Sequence, residues 1–146
     1  MLPTMFAAAF LALTLATPTP NQKVEAFAGT WLAEFDGNTF VRLEMSVNGG
    51  SLSGRIGLGD IQVDGEGRVK AAAAAPDRLT PIFDVVAKDS MLSFSRKDGN
   101  DTDHFEMYLG AGDQAELRFI PDEATLTDLK EAGIAVPKPI ALKRVR

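Results

Sequence analysis

The chain has 146 residues, 45% hydrophobic and 24% charged, with a formal net charge of −5. That length suits one domain with a real core, and the composition excludes a disordered or fibrous chain. The mild acidity and scattered Lys and Arg argue against a nucleic-acid surface, which needs clustered cations to neutralise phosphates. The one local cluster, Lys143, Arg144 and Arg146, reads as a solvated tail.

The first 22 residues carry no charged side chain, and Met5 to Ala16 form an unbroken apolar or small-residue run. About a dozen such residues are too few to cross a bilayer, which takes about 20, but they suit the centre of a secretory signal peptide. Thr14-Leu15-Ala16 places small residues where a signal peptidase reads, and Pro18 and Pro20 block helix continuation. Residues 1–20 are therefore expected to be a signal peptide and linker, and 21–146 the folded domain. The protein is expected to be periplasmic or secreted, with no stable membrane anchor; an Ala-rich core helix is the alternative for the same segment. Cysteine is absent, which excludes disulfides, thiol catalysis and thiolate metal sites.

From Phe27 onward, turn signals recur every eight to twelve residues, among them Asp36-Gly37-Asn38, Asn48-Gly49-Gly50, Asp64-Gly65-Glu66-Gly67 and Asp98-Gly99-Asn100. Between them the chain alternates. Val41, Leu43, Met45 and Val47 share one face; Leu52, Ile56 and Leu58, then Phe105, Met107 and Leu109, then Ala115, Leu117 and Phe119 repeat the pattern. A period of two with one polar face is the mark of half-buried antiparallel strands. Ile61 to Ala75 is ambiguous, because its five alanines suit a helix as well as a strand. Pro121 to Ala132 reads as a helix, with acidic residues early, Lys130 late, a Thr125/Asp128 capping-box spacing and a Leu126/Leu129 stripe. Ile140 to Val145 reads as a final strand.

Many hairpins in a row leave open edges unless the sheet closes on itself. The expectation is an all-β fold: a closed antiparallel up-and-down barrel of about eight or nine strands, with one helix before the last. A sandwich is the alternative.

At Gly29-Thr30-Trp31 the chain resembles the calycin superfamily, the lipocalins, avidins and their bacterial relatives, which open their barrel with a G-x-W. The stretch to Gly37-Asn38-Thr39-Phe40 and Gly49-Gly50-Ser51-Leu52-Ser53-Gly54 resembles the first three avidin strands. The resemblance implies a lipocalin-like barrel closed at one end, with Gly29, Trp31 and Arg144 as the closing residues and Arg144 lying over the indole. It does not carry biotin binding, since there is no second Trp and Ala33 and Ile56 stand where avidins place polar contacts.

No motif specifies a reaction, metal or cofactor. Arg96 to His104 is rich in oxygen ligands, but Leu109 stands where a calcium loop needs its last Glu, so a polar hairpin connection is expected and no metal site. His104, the only histidine, is expected on the solvent face with Glu106 and Tyr108. Asp84 lies in an apolar run, which implies a buried acid paired with Arg42 or Arg96. Arg42, Glu44, Asp84, Arg96 and Tyr108 are the candidate ligand-binding side chains. The leading expectation is a non-enzymatic barrel holding a small apolar or amphipathic ligand at its open end. The alternative is a filled barrel that contacts an envelope protein, and a third is an enzyme in the barrel mouth. Neither a cofactor nor nucleic acid is expected as a partner, and the oligomeric state is not legible.

Overall fold

The computed structural model describes residues 24–146, so the signal peptide and linker expected over 1–20 lie outside the described residues. The elements are β1 (Gly29–Phe35), β2 (Asn38–Asn48), β3 (Ser51–Leu58), β4 (Ile61–Val63), β5 (Val69–Ala72), β6 (Thr80–Lys88), β7 (Met91–Asp98), β8 (Asp101–Leu109), β9 (Gln114–Phe119), α1 (Glu123–Glu131) and β10 (Ile140–Val145). Eight strands close into an antiparallel barrel in the order β1-β10-β9-β8-β7-β6-β3-β2. Strands β4 and β5 form a separate hairpin. No helix among the described residues is long and apolar enough to cross a membrane.

Register follows from the alternation. Trp31 stands opposite Leu43 on one side and Arg144 on the other, and Phe94 opposite Phe105, so each strand turns its apolar residues inward together. The interior is filled by side chains: Trp31, Leu43, Ile56, Leu92, Phe94, Phe105, Met107 and Leu117 are essentially inaccessible. Phe105 stacks on Phe94 at 5.4 Å and meets Phe119 edge-on at 4.7 Å. This aromatic column, with pairs each contributing about 0.5–1.5 kcal/mol beyond burial, runs from mid-barrel to one end.

That end, the mouth, holds the β1–β2 turn, the β7–β8 turn and the two long connections. The first connection carries the β4–β5 hairpin, whose Ile61, Val69 and Ala72 pack with Phe35, Leu58 and Phe119 against the core. The ambiguous alanine stretch is thus strand only to Ala72, and off the barrel. The second connection carries α1. Its N-cap is Asp122, whose Oδ1 accepts from the Thr125 amide at 2.8 Å, so Thr125/Asp128 is not the cap. None of its residues is buried, and the Leu126/Leu129 stripe does not reach the core.

Candidate functional site

The closed end is built around Trp31. Its indole Nε1 donates to the Phe27 carbonyl at 2.9 Å, and the Arg144 guanidinium lies 4.6 Å from the ring centre. Arg144 Nη1 also donates to the Ala26 and Ala28 carbonyls at 3.0 and 3.1 Å, and its Nε to Asp113 Oδ1 at 3.0 Å. Gly29 has φ of 116°, and a Cβ there would come within 2.9 Å of Arg144 Cδ. A side chain two residues before the tryptophan would therefore push the arginine off its seat. Arg146 donates to the same Asp113 carboxylate, and these two arginines hold it below the usual carboxylate range, the Arg146 hydrogen bond being the larger cause.

The five candidate ligand-binding side chains do not form one site. Arg42 and Glu44 sit on the outer wall of β2, paired at 3.0 Å. Tyr108 is on the outer wall of β8, donating to Glu106 at 2.7 Å beneath the Arg118 guanidinium. That hydrogen bond raises the phenol above its ordinary pKa. Arg96 points into the mouth and pairs with Asp103 at 3.0 Å.

Asp84 corrects the sequence reading: it is exposed rather than buried, and neither Arg42 nor Arg96 is its partner. Phe83 stands opposite Ser95 and Val86 opposite Ser93, so β6 carries one residue more than β7 there. Asp84, with φ of 51°, is in this bulge, where a short polar side chain tolerates the left-handed conformation.

His104 is exposed as expected, but cross-strand register places it opposite Ser95, whose Oγ lies 2.7 Å from His104 Nδ1. Ser95 is only 4% exposed, so this hydroxyl is shielded from a substrate. Asp98 pairs with Asp101 around Gly99-Asn100 as a tight hairpin, and among the described residues no three His, Asp or Glu side chains converge as a metal site would require.

The larger concavities lie outside the barrel. One, about 820 Å³, crosses the outer wall of β8, β9, β10 and β1 and presents Leu32, Tyr108, Leu109, Ala141 and Val145 beside Glu34, Glu116 and Lys143. A second, about 680 Å³, is polar and lies between the outer wall of β2–β3 and the 74–79 segment. At the mouth itself, one space beside Arg96, Phe119, Leu58 and Ile61 is about 180 Å³, and another beside Phe35, Phe40, Val69 and Ile140 is about 300 Å³. Small-ligand sites usually need about 300 Å³ or more.

The polar cleft owes its shape to two glycines. Gly59 has no room for a Cβ against the Ala73 backbone, and one on Gly57 would meet Leu79 Cδ2 at 2.6 Å. The 73–79 segment therefore lies flat on the wall, anchored by the Ala73 amide to Asp60 O and the Ala75 amide to Thr39 O, both 2.8 Å. Arg78 is thereby brought to the rim of a cleft whose floor holds Arg42, Glu44 and Arg55. Sequence reasoning missed Arg55 and Arg78; the usable signal was the glycine pair within a strand pattern, which marks a close backbone approach. Comparison with family models, with curated proteins and with solved structures finds no match.

Proposed function

We propose that this chain is an exported, non-enzymatic, calycin-like interaction domain that meets an envelope or secreted protein through the outside of its barrel. The observation that carries this is the filled interior: from Trp31 through Phe94 and Phe105, side chains occupy the volume that an internal ligand would need. The β4–β5 hairpin packs over the mouth and leaves two separate spaces there, of about 180 and 300 Å³, neither larger than the lower limit for small-ligand sites. The depression across β8, β9, β10 and β1 supports the same reading. It combines the exposed Val145 and the half-buried Leu32, Tyr108 and Leu109 with charges of both signs, the mixture found where protein surfaces associate.

Native mass spectrometry of freshly purified protein tests this against the internal-ligand alternative. The expected result is the bare polypeptide mass, without a hydrophobic adduct. A stoichiometric apolar small molecule, retained until the protein is denatured, would overturn the proposal and restore the ligand-holding barrel.

A further inference from the structure

The polar cleft on the β2–β3 wall carries an inference independent of the protein-partner reading. Glu44 stands opposite Arg55 in the β2–β3 register, with Arg42 two residues earlier on the same outer face. The Glu44 carboxylate receives Arg42 Nε at 3.0 Å, while Arg55 Nη2 remains at 3.9 Å, beyond hydrogen-bond reach. Arg78 has no hydrogen bond or ion pair among the described residues. Each guanidinium carries five N–H donors in a rigid fork, so nearly all the donors of these three arginines are unspent. The cleft they border, about 680 Å³, can admit a sizeable group.

The local charge supports an anion. Three arginines face two carboxylates, Glu44 and Asp77, in a chain whose overall charge is −5. Two guanidiniums already converge on one carboxylate, so the floor has the geometry of an oxyanion seat. A carboxylate offers two oxygens and one charge, whereas a phosphate offers three or more terminal oxygens and more charge, so it can engage several arginine forks at once.

We propose that the cleft between the outer wall of β2–β3 and the 74–79 segment binds a phosphate group through Arg42, Arg55 and Arg78, with Glu44 competing for the same guanidiniums. The phosphate can be the free ion or a monoester on a larger molecule. Its seat is the wall, outside the barrel interior.

The test is a titration of the protein with inorganic phosphate and, separately, with a hexose monophosphate, followed by amide chemical shifts at constant ionic strength. Saturable shifts are expected at Gly37–Thr39 and Ala74–Leu79. Arg55→Ala and Arg78→Ala should each weaken binding by about three- to tenfold, while Glu44→Gln should tighten it. Arg118→Ala, on the far wall, should leave affinity unchanged. Tighter binding of inorganic phosphate assigns the site to the free ion, tighter binding of the hexose monophosphate assigns it to a monoester, and equal affinity shows that the cleft reads the phosphate oxygens alone. The proposal is overturned by an absence of saturable shifts with both probes in both the unaltered protein and Glu44→Gln. It is equally overturned if folded Arg55→Ala and Arg78→Ala, checked by thermal melting, bind as the unaltered protein does.

Discussion

At the closed end, a buried indole, a guanidinium and a carboxylate tie the first strand, the last strand and the β8–β9 connection to one another. At the mouth, the corresponding task falls to a three-residue β4 paired with a four-residue β5, and to a helix with no buried residue. The contacts of the closed end span more than a hundred residues of sequence, from Ala26 to Arg144. Those of the hairpin turn are local, with Asp64 accepting from the Glu66 and Arg68 amides, apart from the Lys138 amide, which donates to Gly67 O at 2.8 Å. The difference predicts that the closed end shares the global stability of the barrel and that the mouth opens locally, at lower free energy.

The largest effect should come from Trp31→Ala. The side chain is wholly inaccessible, and its loss would leave a cavity and strand both the Phe27 carbonyl and the stacked arginine. Truncation of such an aromatic costs about 3–5 kcal/mol. A urea melt should show the midpoint moving down at an unchanged slope, if the barrel remains two-state. A loss under about 1 kcal/mol would mean that the closed end is not part of the global unit.

Acid separates the two ends next. Asp113 is held below the usual carboxylate range by Arg146 and Arg144, Asp64 by the Arg68 and Glu66 amides, and Asp122 chiefly by the Thr125 amide. A carboxylate depressed in the folded state stabilises it fully above its unfolded pKa of about 3.9, and the contribution is lost as pH falls through the folded value. All three should therefore contribute at neutral pH and fade in strong acid. Only Asp113 links distant strands, so thermal melts of Asp113→Asn should show a lower Tm at pH 7 and a flatter fall below pH 4. Asp64→Asn and Asp122→Asn should change the global acid profile less, while raising amide exchange in the hairpin and in α1.

The same contrast explains what was legible in the sequence. Strands β2, β3, β8 and β9 were readable because long alternation writes burial directly into the order of residues, as from Val41 to Val47. The β4–β5 hairpin was not, since strands of three and four residues are too short to show a period. Asp84 misled because one extra residue in β6 shifts the inside–outside parity, and a left-handed aspartate carries no mark in the pattern. Ser95 beside His104, and Arg55 beside Glu44, depend on cross-strand register, which is set by hairpin turns and the neighbouring core. Arg78 depended on a loop lying on glycines 57 and 59.

The smallest effect belongs to α1. Leu126 and Leu129 share a narrow stripe three residues apart, a spacing that would ordinarily be read as a face packed on the core. Leu126 is nevertheless 43% exposed and no helical residue is buried, so truncation removes little area from a protein interior. The double variant Leu126→Ala, Leu129→Ala should therefore change global stability by less than about 0.5 kcal/mol. Alanine is the better helix former, which offsets part of what little contact is lost. The Asp122 cap and the Ile134 amide bond to Leu129 O, 2.9 Å, involve backbone groups that both substitutions leave in place. Circular dichroism should show the helical signal retained, and a denaturant melt the same midpoint. A loss of 2 kcal/mol or more would mean that the stripe is covered in solution, and would make the mouth as integral to the barrel as the tryptophan end.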